Sequence, residues 1–340
     1  MGRGTTARVS APSLAWSLTT GLVVGLVVLC FAALMIGPYG LTPGEVLAAL
    51  IGRGEAQAQI VVWNIRLPRI GAALLVGAAL AAAGASYQAL FRNPLVSPDI
   101  LGVSAGAGLG AVAGIFLSLP VAAIQGAAFA GGMAAVGFVT LVAGLVRNTD
   151  RTLTLVLVGV VIGALAGAAT SLLKVLADPY DQLPAITFWL LGSLASVTSA
   201  DILPALPAVA LGLVPLVLLR WRINVLSLGD EEARALGVEA GRTRFLVIAA
   251  ATLITASVTA LAGVVGWVGL VIPHIARMLV GPGFGRLLPT SVLIGAGYLL
   301  VVDTAARSIA AIEVPLGILT AVIGAPFFVW LLARGRRGWS

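Results

Sequence analysis

The chain has 340 residues, of which 60% are apolar and only 10% are charged, and its mean hydropathy is +1.10. Soluble domains carry about 25% charged residues, so this composition excludes both a soluble globular protein and a disordered chain and indicates lipid as the solvent. The net charge is +7, but its arginines lie singly between apolar runs and form no basic face, which argues against nucleic-acid binding.

Apolar runs occur along the whole chain, and a membrane span needs about 20 such residues. The sequence predicts ten spans, at 14–36, 68–91, 100–119, 121–146, 152–177, 202–219, 245–265, 267–280, 287–309 and 315–333. The eighth run is short, so we expect it to be tilted or broken. No hydrophilic stretch is long enough for a second domain, so residues 1–340 are predicted to form one transmembrane domain.

The basic residues orient these spans. With both termini in the cytoplasm, 15 of the 20 basic residues fall on the cytoplasmic side. The exceptions are Arg53, Arg66, Arg69, Lys174 and Arg307. The run at 14–36 could instead be a cleaved signal peptide, but it exceeds the usual length of about 7–15 apolar residues and lacks a small-x-small cleavage site.

Glycines recur every four residues in two runs, at Gly102, Gly106, Gly110 and Gly114 and again at Gly159, Gly163 and Gly167. That spacing keeps them on one helical face, which predicts seams of close helix packing. The segment after Ala81 also shows a weak sequence similarity to the segment after Ala262, five spans later. An odd offset predicts an inverted repeat, which is typical of transporters.

Few ionisable residues lie within spans, where each costs roughly 2.5–3.5 kcal/mol or more. Asp303 and Arg307 stand four residues apart and could simply pair with each other. Lys174 and Glu313 lie near the ends of spans. No chain of deep carboxylates is present to relay protons, which argues against a proton-coupled secondary transporter. With one cysteine, Cys30, and one histidine in the chain, we expect no metal site and no cofactor.

Arg66 and Arg69 flank Pro68 at the start of the second predicted span. There they oppose both the positive-inside rule and the helix dipole. An acidic partner outside the membrane would explain them, and a snorkelling interfacial pair is the alternative.

The segment 220–244 is the largest predicted cytoplasmic insert. Asp230, Glu231 and Glu232 suit the first turn of a short helix, and Gly237 suits its C-cap. The insert is either a docking surface for a cytoplasmic partner or a plain connector.

Several motifs together resemble the FecCD-type permeases, the membrane subunits of type II ABC importers for iron-siderophores, haem and cobalamin. They are Arg66-Leu67-Pro68-Arg69, Gln88 to Leu95, Ser97 to Ser104, Leu226 to Gly237, Gly266 to Arg277 and Glu313 to Gly317. This resemblance implies an all-α polytopic fold of about ten helices and a homo- or heterodimer with a second permease subunit. It also implies two separate ATPase subunits, an extracytoplasmic substrate-binding protein and a location in the bacterial cytoplasmic (inner) membrane.

The resemblance also implies roles for particular residues. The arginines at Arg66, Arg69 and Arg307 would receive acidic residues of the binding protein. The residues that would contact the ATPase are Leu226, Gly229, Asp230, Glu231, Ala233, Leu236 and Gly237. Asn93, Leu95 and Thr152 would form the translocation gate, although the sequence around Thr152 departs from the family pattern.

No Gly-x-x-x-x-Gly-Lys-[Ser/Thr] motif occurs in the chain, so we expect a separate subunit to hydrolyse ATP. The predicted function is a permease subunit for ferric siderophores. The alternatives are a haem or cobalamin importer and an ion-coupled secondary transporter, and a purely structural membrane anchor is disfavoured by the glycine seams.

Overall fold

The structure, a computed structural model, describes residues 12–146, 151–310 and 312–334, and within these ranges all regular structure is helical. Some of the residues that oriented the spans lie outside the described ranges, namely Arg3, Arg8, Arg147, Arg336 and Arg337. The described residues form the all-α membrane architecture that the composition predicts.

Within these ranges fifteen α-helices follow one another. They are α1 (Pro12–Met35), α2 (Pro43–Leu50), α3 (Ala56–Ile60), α4 (Leu67–Leu90), α5 (Val103–Phe116), α6 (Val121–Leu145), α7 (Arg151–Leu176), α8 (Gln182–Leu191), α9 (Ser199–Leu218), α10 (Arg220–Leu226), α11 (Asp230–Ala235), α12 (Ala240–Ala262), α13 (Val268–Val280), α14 (Phe284–Ala306) and α15 (Leu316–Arg334). A π-helical segment, Val61–Arg66, joins α3 to α4, and a 3₁₀ turn, Pro98–Leu101, precedes α5.

Seven described helices are long and apolar enough to cross a membrane, and they coincide with seven of the ten predicted spans. The runs at 100–119, 267–280 and 315–333 form the shorter helices α5, α13 and α15. Helix α5 is shortened because Gly102 adopts φ +78° before it and Ser118 adopts φ +53° after it. The prediction of about ten membrane helices is confirmed, including the short eighth one.

Helix α8 does not correspond to any predicted span. Its ten residues, mostly apolar, lie between Asp181 and Gly192. At 1.5 Å per residue it is about 15 Å long, half of what a span requires. A search for 20-residue apolar runs therefore passes over it.

Helices α4 and α12 lie at the centre of the molecule, and most of their spanning residues are buried. Close packing around them depends on glycine. A Cβ added to Gly84 of α4 would lie 1.9 Å from the carbonyl oxygen of Gly269 in α13, a distance that no side chain permits. Because Gly84 has only hydrogen there, α4 and α13 approach backbone to backbone.

The first predicted glycine seam is real. A Cβ added to Gly106 or Gly110 of α5 would meet carbonyl oxygens of α6 at 2.5 and 2.1 Å. The second seam is only partly so, because Gly159 packs against Ile100 whereas no atom lies within 4 Å of a Cβ added to Gly163 or Gly167. For those two glycines the predicted seam is not found within the described residues, because no neighbouring atom comes close enough to require glycine there.

The two central helices are followed by similar segments. After each comes a break and a short helix, α5 or α13, and the residue before each short helix has positive φ, +78° at Gly102 and +70° at Trp267. This correspondence supports the predicted inverted repeat, with α4 and α12 as its equivalent central helices.

Candidate functional site

Arg69, at the start of α4, connects three distant segments at one end of the helix bundle. Its Nε donates to Asp303 of α14 at 2.8 and 3.0 Å, and its terminal nitrogens donate to Glu313 at 2.9 and 2.8 Å. Ser193, in the loop after α8, also donates to Glu313, at 3.1 Å. Asp303 is fully buried, so its charge depends on this arginine for compensation.

Arg66 and Arg307 lie beside this network. Arg66 is 3% exposed and donates to the backbone carbonyls of Leu34 and Tyr39, which belong to the end of α1 and the loop that follows it. Arg307 donates to the carbonyl of Ala33 at 2.7 Å. A Cβ added to Gly37 would contact both guanidinium groups, so the same loop covers the two arginines.

The three predicted docking arginines therefore form one cluster, which we call the arginine cluster: Arg66, Arg69 and Arg307 with Asp303 and Glu313. Three cations face two carboxylates. Arg307 Nε is buried and has no hydrogen-bond partner among the described residues; the nearest carboxylate oxygen, of Asp303, is 3.9 Å away. The simple Asp303–Arg307 pair considered from sequence is thus secondary to the pairing with Arg69.

The predicted coupling segment lies directly before α12, at the end of the helix bundle opposite the arginine cluster. It forms the short helices α10 and α11. The first turn of α11 holds Asp230, Glu231 and Glu232, whose negative charges interact favourably with the helix dipole. Gly237 follows the helix with φ +75°. The acidic start and glycine end that the sequence predicted are both present.

The predicted coupling residues divide by exposure. Leu226, Gly229 and Ala233 are buried and hold the segment against the bundle. Glu231, Leu236 and Gly237 are exposed, with Leu236 52% accessible. Glu231 on α11 and Leu236 and Gly237 in the turn after it thus present an acidic and an apolar side chain outwards, while the buried residues fix the position of the helix.

Arg244 of α12 attaches α11 to the membrane domain. It donates two hydrogen bonds to Asp230, at 2.8 and 2.5 Å, in the parallel geometry that Arg–carboxylate pairs favour. The hydrogen bonds from Arg244 hold the pKa of Asp230 below its ordinary value, with Arg92 and Arg234 contributing further positive charge. The carboxylate is therefore ionised at neutral pH.

The predicted gate residues lie in two places. Asn93 accepts a hydrogen bond from the backbone N–H of Leu95 at 2.9 Å, which fixes the loop after α4. Leu95 is 38% exposed and contacts a narrow recess between α13 and α15 that includes His274 and Phe328. Thr152 is half-buried at the start of α7. The hydrogen bond thus brings Asn93 and Leu95 together in one loop, whereas Thr152 lies on a different element.

Three polar contacts of the central helices were not predicted. Gln88 of α4 donates to the carbonyl of Leu270 at 3.0 Å and accepts from Arg277 at 3.2 Å, and Tyr87 bonds Thr252 at 3.0 Å. The signal for Gln88 was its position as a polar residue at the end of an apolar run. Among the described residues, no group of three or more His, Cys, Asp or Glu side chains could hold a metal ion.

Residues 25–334 match the FecCD transport family. The permease protein MolB of the molybdate import system of Haemophilus influenzae is 39% identical over 323 residues, covering 94% of this chain and 96% of that protein. FecD of the Fe(3+) dicitrate transport system of Escherichia coli is 43% identical over 280 residues, covering 81% of this chain and 86% of that protein. BtuC of the cobalamin import system of Halobacterium salinarum is 46% identical over 276 residues, covering 81% of this chain and 74% of that protein.

A solved structure has the same fold. A metal-chelate type ABC transporter in an inward-facing conformation matches with a TM-score of 0.86 and 38% identity, covering 94% of this chain and 99% of that one. The sequence family, the helical architecture and the structural match agree. This chain belongs to the FecCD transport family and is a multi-pass membrane permease of an ABC importer.

Proposed function

We propose that this permease imports a metal chelate, with a ferric siderophore as the expected cargo. The observation that carries the proposal is the similarity over nearly the whole chain to a metal-chelate type transporter. The similarity to a permease of the Fe(3+) dicitrate system supports iron as the metal. The sparse ionisable residues within the spans also suit a path through which a complete chelate passes, rather than a chain of ion-binding sites.

The permease works with separate ATPase subunits. The sequence has no nucleotide-binding motif, so the work of ATP hydrolysis must enter through a contact between proteins. The exposed face of α11 is the proposed contact: it is fixed to the bundle by buried residues and by the Arg244–Asp230 pair. We assign this face to the cytoplasm of a bacterial inner membrane, with both termini on the same side.

The arginine cluster, at the other end, is proposed to receive an acidic group of the substrate-binding protein. Its described residues carry one positive charge in excess, and Arg307 Nε lacks a hydrogen-bond partner among them. An additional carboxylate would neutralise the excess charge and accept a hydrogen bond from Arg307 Nε. The cluster lies beneath the loop after α1, so docking requires that this loop move or that the carboxylate enter beside it.

A dimer of two permease subunits, identical or paralogous, with two ATPases completes the proposed complex. The translocation path runs along the subunit interface. Asn93, Leu95 and Thr152 are proposed to narrow its cytoplasmic end. The exposed apolar side chains of Leu95 and of α7 suit such a path, because they offer a chelate no competing metal ligands.

Molybdate is the second candidate cargo. The relative MolB belongs to a molybdate import system, and it matches over 94% of this chain. Since the permease offers few charged residues to either cargo, the binding protein must make the distinction.

The test is uptake into proteoliposomes that contain the permease, its ATPase and its binding protein. Radiolabelled ferric chelate and radiolabelled molybdate are supplied in parallel, with ATP or a non-hydrolysable analogue inside. ATP-dependent uptake of the ferric chelate alone is expected, and uptake of molybdate alone would replace the cargo assignment. Uptake by the permease by itself, driven by an ion gradient, would instead show a secondary transporter.

A further inference from the structure

A cavity of about 310 Å³ opens between α6, α7 and α12, close to the coupling segment. Its lining residues are Gly137, Thr140 and Leu141 of α6, Leu155 of α7, and Arg244, Phe245 and Ile248 of α12. All but Arg244 and Thr140 are apolar. Its volume lies at the lower end of the range for small-molecule sites, about 300–1,000 Å³, so it suits part of a larger amphiphile.

Among the described residues that line this cavity, Arg244 is the charged one. Its side chain is 10% exposed, and its Nε has no hydrogen-bond partner among the described residues although its two terminal nitrogens bond Asp230. Each terminal nitrogen of Arg244 carries a second N–H besides the one it gives to Asp230, so the guanidinium retains donors for a ligand oxygen.

Arg244 and Asp230 form the charged pair beside the cavity. Asp230 is the carboxylate that Arg244 bonds, and it also feels the positive charges of Arg92 and Arg234. Neither those two arginines nor Glu231 and Glu232 of α11 line the cavity. Among its described lining residues Arg244 carries the charge, and this favours an anionic ligand.

The depth of the cavity corresponds to a membrane interface. Arg244 is the fifth residue of α12, Leu155 is the fifth of α7, and Thr140 is five residues before the end of α6. All three therefore lie one to two turns inside the end of the bundle at which α6 ends and α7 and α12 begin. The side chains at its mouth, Leu141 and Phe245, are 61% and 57% exposed, as expected for residues that face acyl chains. Basic pockets between membrane helices at this depth bind anionic lipid headgroups.

We propose that this cavity binds an anionic phospholipid, with its phosphate on Arg244 and the start of an acyl chain along Leu141 and Phe245. The apolar walls and the open, lipid-exposed mouth favour a lipid over a free anion, which would leave them in contact with water. Arg244 also holds Asp230 of α11, so the lipid phosphate and the coupling helix share one guanidinium. Lipid bound here would therefore fix the arginine that attaches α11.

The experiment measures lipid binding to the purified full-length permease by native mass spectrometry, with dioleoyl phosphatidylglycerol and dioleoyl phosphatidylcholine titrated separately. The wild type should retain phosphatidylglycerol with at least about tenfold preference, as expected for one charge-assisted hydrogen bond with supporting charge. Gly137→Leu should reduce that binding about tenfold, since a Cβ at Gly137 has no atom within 4 Å and the side chain fills the cavity. Arg244→Gln should reduce it similarly.

Gly144→Leu is the matched control. It lies on the same helix seven residues further on, also with open space around it, but does not line the cavity, so its binding should equal that of the wild type. Equal retention of the two lipids by the wild type, or wild-type binding by Gly137→Leu, would overturn the proposal even if Arg244→Gln does not fold. Displacement of the lipid by inorganic phosphate at the same concentration would show a free-anion site instead.

Discussion

Arg69 and Asp303 are 234 positions apart in the chain, yet their side chains make two hydrogen bonds in the interior of the protein, at 2.8 and 3.0 Å. The pair joins the beginning of α4 to the end of α14, and Glu313 extends it to the segment before α15. A buried carboxylate with such a partner is held by it, and loss of either member leaves an uncompensated charge.

Replacing Asp303 should therefore destabilise the permease strongly. We expect Asp303→Asn to lower the free energy of unfolding by about 3–5 kcal/mol, because Arg69 would lose half of its compensation in a buried site. Denaturation of the purified protein in mixed micelles measures this. Glu55→Gln, at an exposed position before α3, is the control and should unfold as the wild type does. Equal unfolding of Asp303→Asn and the control would show that the pair adds no stability.

Arg307 offers the cleanest test of docking. Replacing Arg69 would leave the carboxylates of Asp303 and Glu313 without their ionic partner. Arg307, by contrast, has an unbonded Nε and a carbonyl partner in Ala33. Arg307→Gln should weaken binding of the substrate-binding protein about tenfold or more, the usual effect of losing one charged hydrogen bond. Surface plasmon resonance on the reconstituted permease measures the dissociation constant.

The control for docking is Arg53→Gln, which removes an exposed arginine on the same predicted side. A general loss of positive charge would weaken both variants equally. If Arg307→Gln binds as tightly as the wild type, the arginine cluster is a structural network and the binding protein docks elsewhere.

The sequence was sufficient for the helices and for α11 because the evidence for both is local. Apolar runs mark spans, and three acidic residues followed by Gly237 mark a short capped helix. Ion pairs such as Arg69–Asp303 could not be predicted, because a single sequence does not show which distant charged residues come into contact. The burial of Arg66 was equally hidden, since it depends on carbonyls that the loop after α1 happens to expose. Helix α8 was missed because it is too short for the length rule that identifies spans.

The outer face of α11 should determine coupling to the ATPase. Glu231→Lys reverses an exposed charge and Leu236→Asp removes an exposed apolar contact worth about 1.5–3 kcal/mol when buried. Both should reduce ATP-dependent uptake about tenfold, with less ATPase recovered in co-purification. Glu239→Lys makes the same charge reversal at an exposed residue just after α11 and should have little effect. Normal uptake by both α11 variants would place the ATPase contact on another surface.

The Arg244–Asp230 pair should make the stability of the folded α11 segment depend on pH. The pKa of Asp230 is lowered, so the pair stabilises the folded segment at every pH above the ordinary aspartate value of 3.8 and this stabilisation is lost as pH falls through the lowered value. A spin label at Leu236 should therefore keep constant mobility from pH 8 to about 5 and become more mobile below about 4. Asp230→Asn should be mobile at pH 7 already and show no such transition. A transition near pH 6 would point to another group.

The contact of Gly84 with Gly269 should tolerate no side chain. A methyl at Gly84 would approach the carbonyl oxygen of Gly269 to 1.9 Å, and both atoms belong to buried helices that cannot shift independently. Gly84→Ala should therefore cost about 1–3 kcal/mol of stability, the usual effect of overpacking, and separate α13 from α4. Gly25→Ala in α1 is the control, because its added methyl meets no atom within 4 Å and alanine is the better helix former. Denaturation in micelles should rank the control at or above the wild type and Gly84→Ala below it, and equal stability of the two variants would mean that α4 and α13 are not in backbone contact.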